Sequence, residues 1–145
     1  MTEKDRFVFL EHTADAYIAA YGSTLNEAFE NAGLALFETM TDLSEIEPRK
    51  EDTITAEATD IYELLYNWLE ALLVRFDTQQ MLYSRIKIIE LTGKDKDFRL
   101  SAKAHGEPFD PQKHAQKVGV KAVTYHRMEI IRKPGNVTVK FILDL

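Results

Sequence analysis

The side chains best equipped for chemistry fall in four places along this chain. The first is Glu11-His12-Thr13-Ala14-Asp15. It lies between two strand candidates, where a loop presents polar groups. His12 and Asp15, three residues apart, could share one metal ion or one proton. The plainer reading is a turn made by Thr13 and Asp15, with His12 packed. The second place is Asp144, a carboxylate at an apolar strand end that needs a partner or solvent. The chain-end carboxylate of Leu145 adds oxygens beside it. Together with Asp15 these would form an all-oxygen site suited to Mg²⁺ or Ca²⁺; otherwise Asp144 is a solvated end. The third is Lys121-Ala122-Val123-Thr124-Tyr125-His126. Read as a strand, it sets Lys121 and Tyr125 on one face and His126 on the other. Lys121 could then meet a phosphate or steady a carboxylate, and Tyr125 could stack. An exposed strand with one core aromatic would look the same. The fourth is Gly106-Glu107-Pro108-Phe109-Asp110-Pro111 through His114. Its prolines stiffen a loop holding Glu107, Asp110 and His114 within reach of one another, and a solvated connector is the plainer reading.

Several chemistries are excluded. The chain has no cysteine, so disulfides, thiolate metal sites and thiol catalysis are out. It has no phosphate-cradling glycine loop, no histidine–glutamate metalloprotease spacing and no nucleophile elbow. The net charge of −6 opposes tight, direct nucleic-acid binding, which needs clustered Lys and Arg. Met1 to Arg6 have no apolar stretch of the kind a signal peptide carries, and no apolar run approaches the ~20 residues that span a bilayer. A cytoplasmic location without membrane contact is the expectation.

The elements that must position these groups are legible from periodicity. At 145 residues, 45% hydrophobic and 29% charged, the chain has the size and balance of one globular domain over 1–145. Phe7 to Glu11 and Tyr17 to Tyr21 are short strands. Thr24-Leu25-Asn26-Glu27 is a capping-box start, followed by Leu25, Phe29, Ala32, Leu36 and Met40 at helical spacing, which predicts a helix over about 24–41. Asp42 to Glu51 is a loop and Thr53 to Ala58 a weak strand. Asp60 opens a second helix to about 77. Its wider stripe of Ile61, Leu64, Leu65, Trp68, Leu69, Leu72, Leu73 and Phe76 marks it as the more buried of the two.

The second half reads as β. Met81 to Leu91 and Asp97 to Gly106 form a hairpin about Thr92-Gly93-Lys94-Asp95. Glu107 to Gly119 is a surface loop with room for one helical turn. Val120 to Arg132 and Val137 to Leu145 flank a turn at Lys133-Pro134-Gly135-Asn136. In the last strand Val137, Val139, Phe141, Leu143 and Leu145 share the core face. Thr138, Lys140, Ile142 and Asp144 point the other way, onto a face that is either wet or a working surface. The class is α/β in the α+β sense: a mixed, largely antiparallel sheet with two amphipathic helices on one face.

The order of these segments resembles the archease family. Residues 11–15 followed by Tyr21-Gly22-Ser23-Thr24-Leu25-Asn26-Glu27-Ala28-Phe29 are similar to its N-terminal signature. Tyr66-Asn67-Trp68-Leu69 and Arg75-Phe76-Asp77 look like its second helix. Residues 106–110 and 121–126 match its later signatures, and Leu143-Asp144-Leu145 its carboxy terminus. Each motif is short; five in order over nearly the whole chain are specific.

The resemblance implies an accessory protein rather than an enzyme. It would assist the RNA-splicing ligase that joins a 2′,3′-cyclic phosphate or 3′-phosphate end to a 5′-hydroxyl, as in tRNA splicing. It would promote GTP-dependent guanylylation of the ligase, support multiple turnover and alter nucleotide specificity. The protein partner is the ligase, and tRNA is met only through it. The family binds a divalent metal through acidic residues, which here match Asp15 and Asp144, with Leu145 and His12 close by. Lys121 matches a basic position in a family signature. Two other classes remain in view. A general protein-binding module or chaperone would be indifferent to Asp15 and Asp144, and a metal-dependent phosphoesterase would turn over a phosphate ester alone.

Overall fold

The structure, a computed structural model, describes residues 6–10 and 15–145. In chain order the elements are β1 Phe7–Leu10, β2 Ala16–Gly22, α1 Leu25–Met40, a 3-10 turn at Leu43–Glu45, β3 Lys50–Ala58, α2 Ile61–Gln79, β4 Met81–Lys94, β5 Asp97–Pro108, β6 Ala122–Val123, β7 Glu129–Lys133 and β8 Asn136–Asp144. The class is the expected one, two helices over antiparallel strands. The strands divide between two sheets. One runs β1-β2-β8-β6 with β7 also on β8; the other runs β3-β5-β4. No helix among the described residues is long and apolar enough to cross a membrane.

Both helices begin as their sequences predict. The Thr24 hydroxyl accepts from the Glu27 amide at 3.1 Å, and the Asp60 carboxylate accepts from the Glu63 amide at 2.9 Å. The two glutamates reach back one residue further than the usual capping box. They accept from the amides of Ser23 (2.9 Å) and Thr59 (2.7 Å). This still satisfies donors that the first helical turn leaves without partners.

The ranking of the helices is reversed. α1, not α2, is the more buried: eleven of its 16 residues are buried, against six of 19 in α2. The reason is position. α1 packs on both β2 and β4, so each sheet covers one side of it. Its small residues Ala28, Ala32, Gly33 and Ala35 allow that approach. Two of its polar side chains bind one sheet each. Asn31 Nδ2 donates to the Tyr21 carbonyl at 2.6 Å, and Glu30 Oε2 accepts from the Ile88 amide at 2.8 Å. The Ile88 amide adjoins a bulge, where the β4–β5 register shifts between Ile88 and Glu90. Burial pushes the Glu30 carboxyl up, against the opposing pull of the Ile88 amide. Trp68, wholly buried on α2, donates Nε1–H to the Phe29 carbonyl at 2.8 Å and joins the helices.

Two turns are informative. The β7–β8 turn stands where expected, with Lys133 paired to Asn136 and Gly135 at φ 69°, as Pro-Gly in a tight turn requires. The β4–β5 hairpin is longer than expected. Gly93 stays in the ladder opposite Phe98, and the turn is Asp95-Lys96, with Asp95 at φ 58°. At the other end of that hairpin Gly106 lies against Leu82: a Cβ on it would stand 1.7 Å from the Leu82 carbonyl oxygen. Edge strand β3 is guarded by α2. Arg75 and Asn67 donate to the Thr53 and Glu57 carbonyls at 3.2 and 2.8 Å, which blunts the edge.

The loop 109–121 has its single turn, with the His114 amide donating to the Asp110 carbonyl at 2.8 Å. It is not a solvated connector. The His114 side chain is fully buried, and its Nε2 lies 2.9 Å from Glu107 Oε2. Its Nδ1 accepts from the Asp110 amide at 2.8 Å, so the partners assign the proton to Nε2 and a neutral ring. Glu107 Oε2 also accepts from Lys113 Nζ (2.8 Å) and the Glu47 amide (2.9 Å). Lys113 bridges onward to Glu47 Oε1 at 2.8 Å. Beyond this knot, the Ala115 amide donates to Glu45 and Lys117 Nζ to Glu38, each at 2.9 Å.

Burial alone would raise the Glu107 carboxyl, but Lys113, the Glu47 amide and His114 outweigh it and hold the group down at about 2, from an ordinary 4.5. A carboxyl lowered by folding stabilises fully above its unfolded value, and the contribution is lost as pH falls through the folded one. Glu107→Gln should therefore lower Tm at neutral pH, and the gap from the parent should close between about pH 4.5 and pH 2. Thermal melts across that range check this; a gap independent of pH would refute it. Gly106→Ala should cost about 3 kcal/mol in urea unfolding, the upper range for overpacking, because the obstructing atom is backbone.

Candidate metal and partner site

The sheet ladder brings together the two ends that the sequence singled out. The last β2–β8 pair is Ala16 with Leu143. Asp15 and Asp144 each stand one residue beyond it, at the same end of the sheet. Asp15 is half-buried, Asp144 exposed and Leu145 half-buried. β6 continues this end on the other side of β8, with Ala122 opposite Asp144. The Lys121 amide donates to the Asp144 carbonyl at 2.8 Å, so the exposed Lys121 side chain starts from the backbone beside Asp144. Glu11 and His12 lie outside the described residues.

An open cleft of about 370 Å³ lies at this end. Asp15, Glu38, Lys117 and Leu145 line it together with the apolar Phe9, Leu10 and Val118; Asp144 is not among its lining residues. Glu38 was invisible as a site residue from sequence, being one more acid near a helix end. Its Oε1 accepts from the Leu43 amide (2.9 Å) and its Oε2 from Lys117 Nζ (2.9 Å). The Lys117 amide also donates to the Met40 carbonyl at 3.0 Å. The loop that His114 anchors is thus tied down where it supplies Val118. Phe9 and Val118 are 50% and 46% exposed, high for large apolar side chains that flank a polar site.

The donor set can be tested against a divalent ion. Carboxylate oxygens from Asp15, Asp144 and the Leu145 chain end are the hard ligands that Mg²⁺ or Ca²⁺ takes. Among the described residues no three His, Cys, Asp or Glu side chains gather closely enough to hold a metal by themselves. Asp15 and Asp144 therefore fit such an ion in ligand type, and the described residues supply no third side chain close enough to complete a set.

The Lys121–His126 segment departs from the expected strand. Only Ala122–Val123 pairs with β8. The chain then turns, with the Met128 amide donating to the Tyr125 carbonyl at 3.1 Å and Arg127 at φ 56°. The shared strand face proposed for Lys121 and Tyr125 does not exist, because the Thr124 amide and hydroxyl both bond the Ile142 carbonyl and end the ladder there. Tyr125 does stack, on Tyr66 of α2, with ring centroids 4.3 Å apart and planes at 8°. Half of its surface stays exposed.

Comparison with known proteins agrees with this architecture. The model of the Archease protein family matches residues 7–145. The protein archease of Sulfurisphaera tokodaii is 45% identical over 140 residues, covering 97% of this chain and 99% of its own. That of Thermococcus gammatolerans is 43% identical with the same coverage. The solution structure of Methanobacterium thermoautotrophicum protein 1598 superposes with a TM-score of 0.84 at 42% identity, over 97% of this chain and 99% of that one. A Thermotoga maritima archease, described as a possible chaperone, shares the fold at a TM-score of 0.57 and 16% identity over 94% of each chain. A family match across nearly the whole chain, and relatives this similar over nearly all of it, make this chain a member of the archease family.

Proposed function

We propose that this archease is a non-catalytic, cytoplasmic activator of a GTP-dependent RNA-splicing ligase, and that it docks through the sheet end where Asp15 and Asp144 meet. The observation that carries the reading is the β2–β8 register, which puts Asp15 and Asp144 at the same end of the sheet, near the exposed Phe9 and Val118. In this reading Asp15, Asp144 and the Leu145 carboxylate hold a divalent cation, Mg²⁺ or Ca²⁺, joined by His12. A cation so held would offset triphosphate charge during guanylylation. Phe9 and Val118 seat against the ligase, and Lys121 reaches a phosphate from beside Asp144. An acidic protein of net charge −6 is drawn to a basic active-site mouth, which speeds encounter. tRNA splicing is then served through the ligase.

The chaperone reading would need a broad apolar surface. The other exposed apolar residues are distributed over α2, β4, β7 and the 124–128 turn as Tyr62, Val74, Ile89, Ile131 and Tyr125, which favours a local docking site. Guanylylation of a cognate ligase by GTP, with this protein at substoichiometric amounts, tests the proposal. Stimulation over many turnovers is expected, with Asp15→Asn and Asp144→Asn each cutting it at least tenfold while Tm stays near the parent's. Normal stimulation by either variant would remove the metal site from the mechanism. No stimulation by the parent would refute the activator reading.

A further inference from the structure

The face of the five-stranded sheet turned away from the helices carries a second constellation. Cross-strand register sets its rows. Val8, Ala19, Lys140 and Glu129 form one row, and Tyr21, Thr138 and Ile131 the next. Lys133 and Asn136 close the corner. A shallow cavity of about 290 Å³ sits here, close to the lower bound of small-molecule pockets (~300 Å³). Its polar lining is Lys133, Lys140, Asn136, Thr138 and Tyr21; the rest is Leu10, Ala19 and Ile131.

That lining is anomalous for this chain. Acidic residues outnumber basic ones 24 to 18, yet among the described residues no carboxylate lines the cavity. The nearest carboxylate ion pair is weak: Glu129 Oε2 is 4.0 Å from Lys140 Nζ, and half of the Glu129 side chain is exposed. Two ammonium groups, an amide and two hydroxyls can all donate to one anion. The Tyr21 ring, Ile131 and Leu10 offer a flat apolar surface beside them, on which a planar ring can stack. The overall charge that opposes tight nucleic-acid binding is an average, and this pocket is a local exception to it.

We propose that this cavity binds a phosphate ester attached to a planar ring, a nucleotide, through Lys133 and Lys140 with the ring against Tyr21. The source is either a free mononucleotide or the phosphorylated end of an RNA strand. Its lysines lie away from the carboxylate end, Lys140 and Asp144 being four residues apart on β8, about 14 Å at ~3.4 Å per residue, while Leu10 lines both cavities. It also stands independently of the ligase reading.

The test uses the full chain, ¹⁵N-labelled, with EDTA and without ligase, so its outcome is separable from activation. Uridine 3′-monophosphate, uridine and a 3′-phosphorylated uridine decamer are titrated separately. The phosphate esters should shift amides of residues 19–21, 131–133 and 136–140, and uridine should not. Lys133→Gln and Lys140→Gln should each weaken binding at least fivefold, with Lys94→Gln on the other sheet as the unaffected control and Tm confirming folding. A decamer bound at least tenfold more tightly than the mononucleotide identifies an RNA end as the ligand; equal affinities identify the free nucleotide. No shifts at millimolar ester, shifts on another surface, equal shifts with uridine, or unchanged affinity in both lysine variants would overturn the proposal.

Discussion

The wedging of α1 between two sheets is the constraint on which the rest of the molecule depends. A helix covered on both sides can expose almost no polar side chain, and α1 answers with alanine and glycine where it must come close. Two of its polar groups, one buried and one half-buried, each serve a sheet. Asn31 holds the five-stranded sheet through Tyr21, and Glu30 holds the three-stranded sheet through Ile88. Neither bond is large by itself, about 1 kcal/mol for a neutral pair and more when one partner is charged. Their value lies in geometry, since a slip of α1 against either sheet would strand a buried donor or acceptor. Trp68 then ties α2 to the same helix.

From that frame the loop 109–121 inherits its position. The acids that hold it, Glu38, Glu45, Glu47 and Glu107, precede it or open it, and Lys113, Lys117, His114 and the Ala115 amide answer from within it. Most surface ion pairs contribute little. This set differs because Glu107 and His114 are buried and Glu107 Oε2 alone accepts from His114, Lys113 and the Glu47 amide, so the loop cannot loosen one bond without exposing others to loss. Its function is delivery. It sets Val118 beside the cleft of Asp15 and carries the chain on to Lys121, whose amide bonds the Asp144 carbonyl.

The five-stranded sheet therefore has two chemically opposite regions. Its β2–β8 end gathers carboxylates and an apolar rim. Its outer face near the β7–β8 turn gathers lysines and neutral donors, with no carboxylate among the described lining residues. Separating these regions along one rigid ladder keeps the charges about 14 Å apart on β8 at ~3.4 Å per residue, beyond a Debye length of ~8 Å at physiological salt.

The sequence by itself determined the elements and the family. Helical and period-two spacing marked both helices, the alternation of β8 and the Pro134-Gly135 turn, because local hydrogen bonding and side-chain direction leave a direct trace in residue order. Asp15 and Asp144 were legible as candidate site residues for a different reason, the short motifs around them. Tertiary structure decided what depends on distant partners. It divided the strands into two sheets and made α1 the buried helix, since burial follows from what covers a surface and not from the width of its apolar stripe. It broke the 120–132 strand after Val123, because Thr124 found the Ile142 carbonyl, and resumed it only at Glu129, and it turned Glu107 and His114 from an apparent surface connector into a buried pair. Asp15 and Asp144 stand 129 positions apart in the chain, and only the antiparallel register of β2 on β8 makes them neighbours.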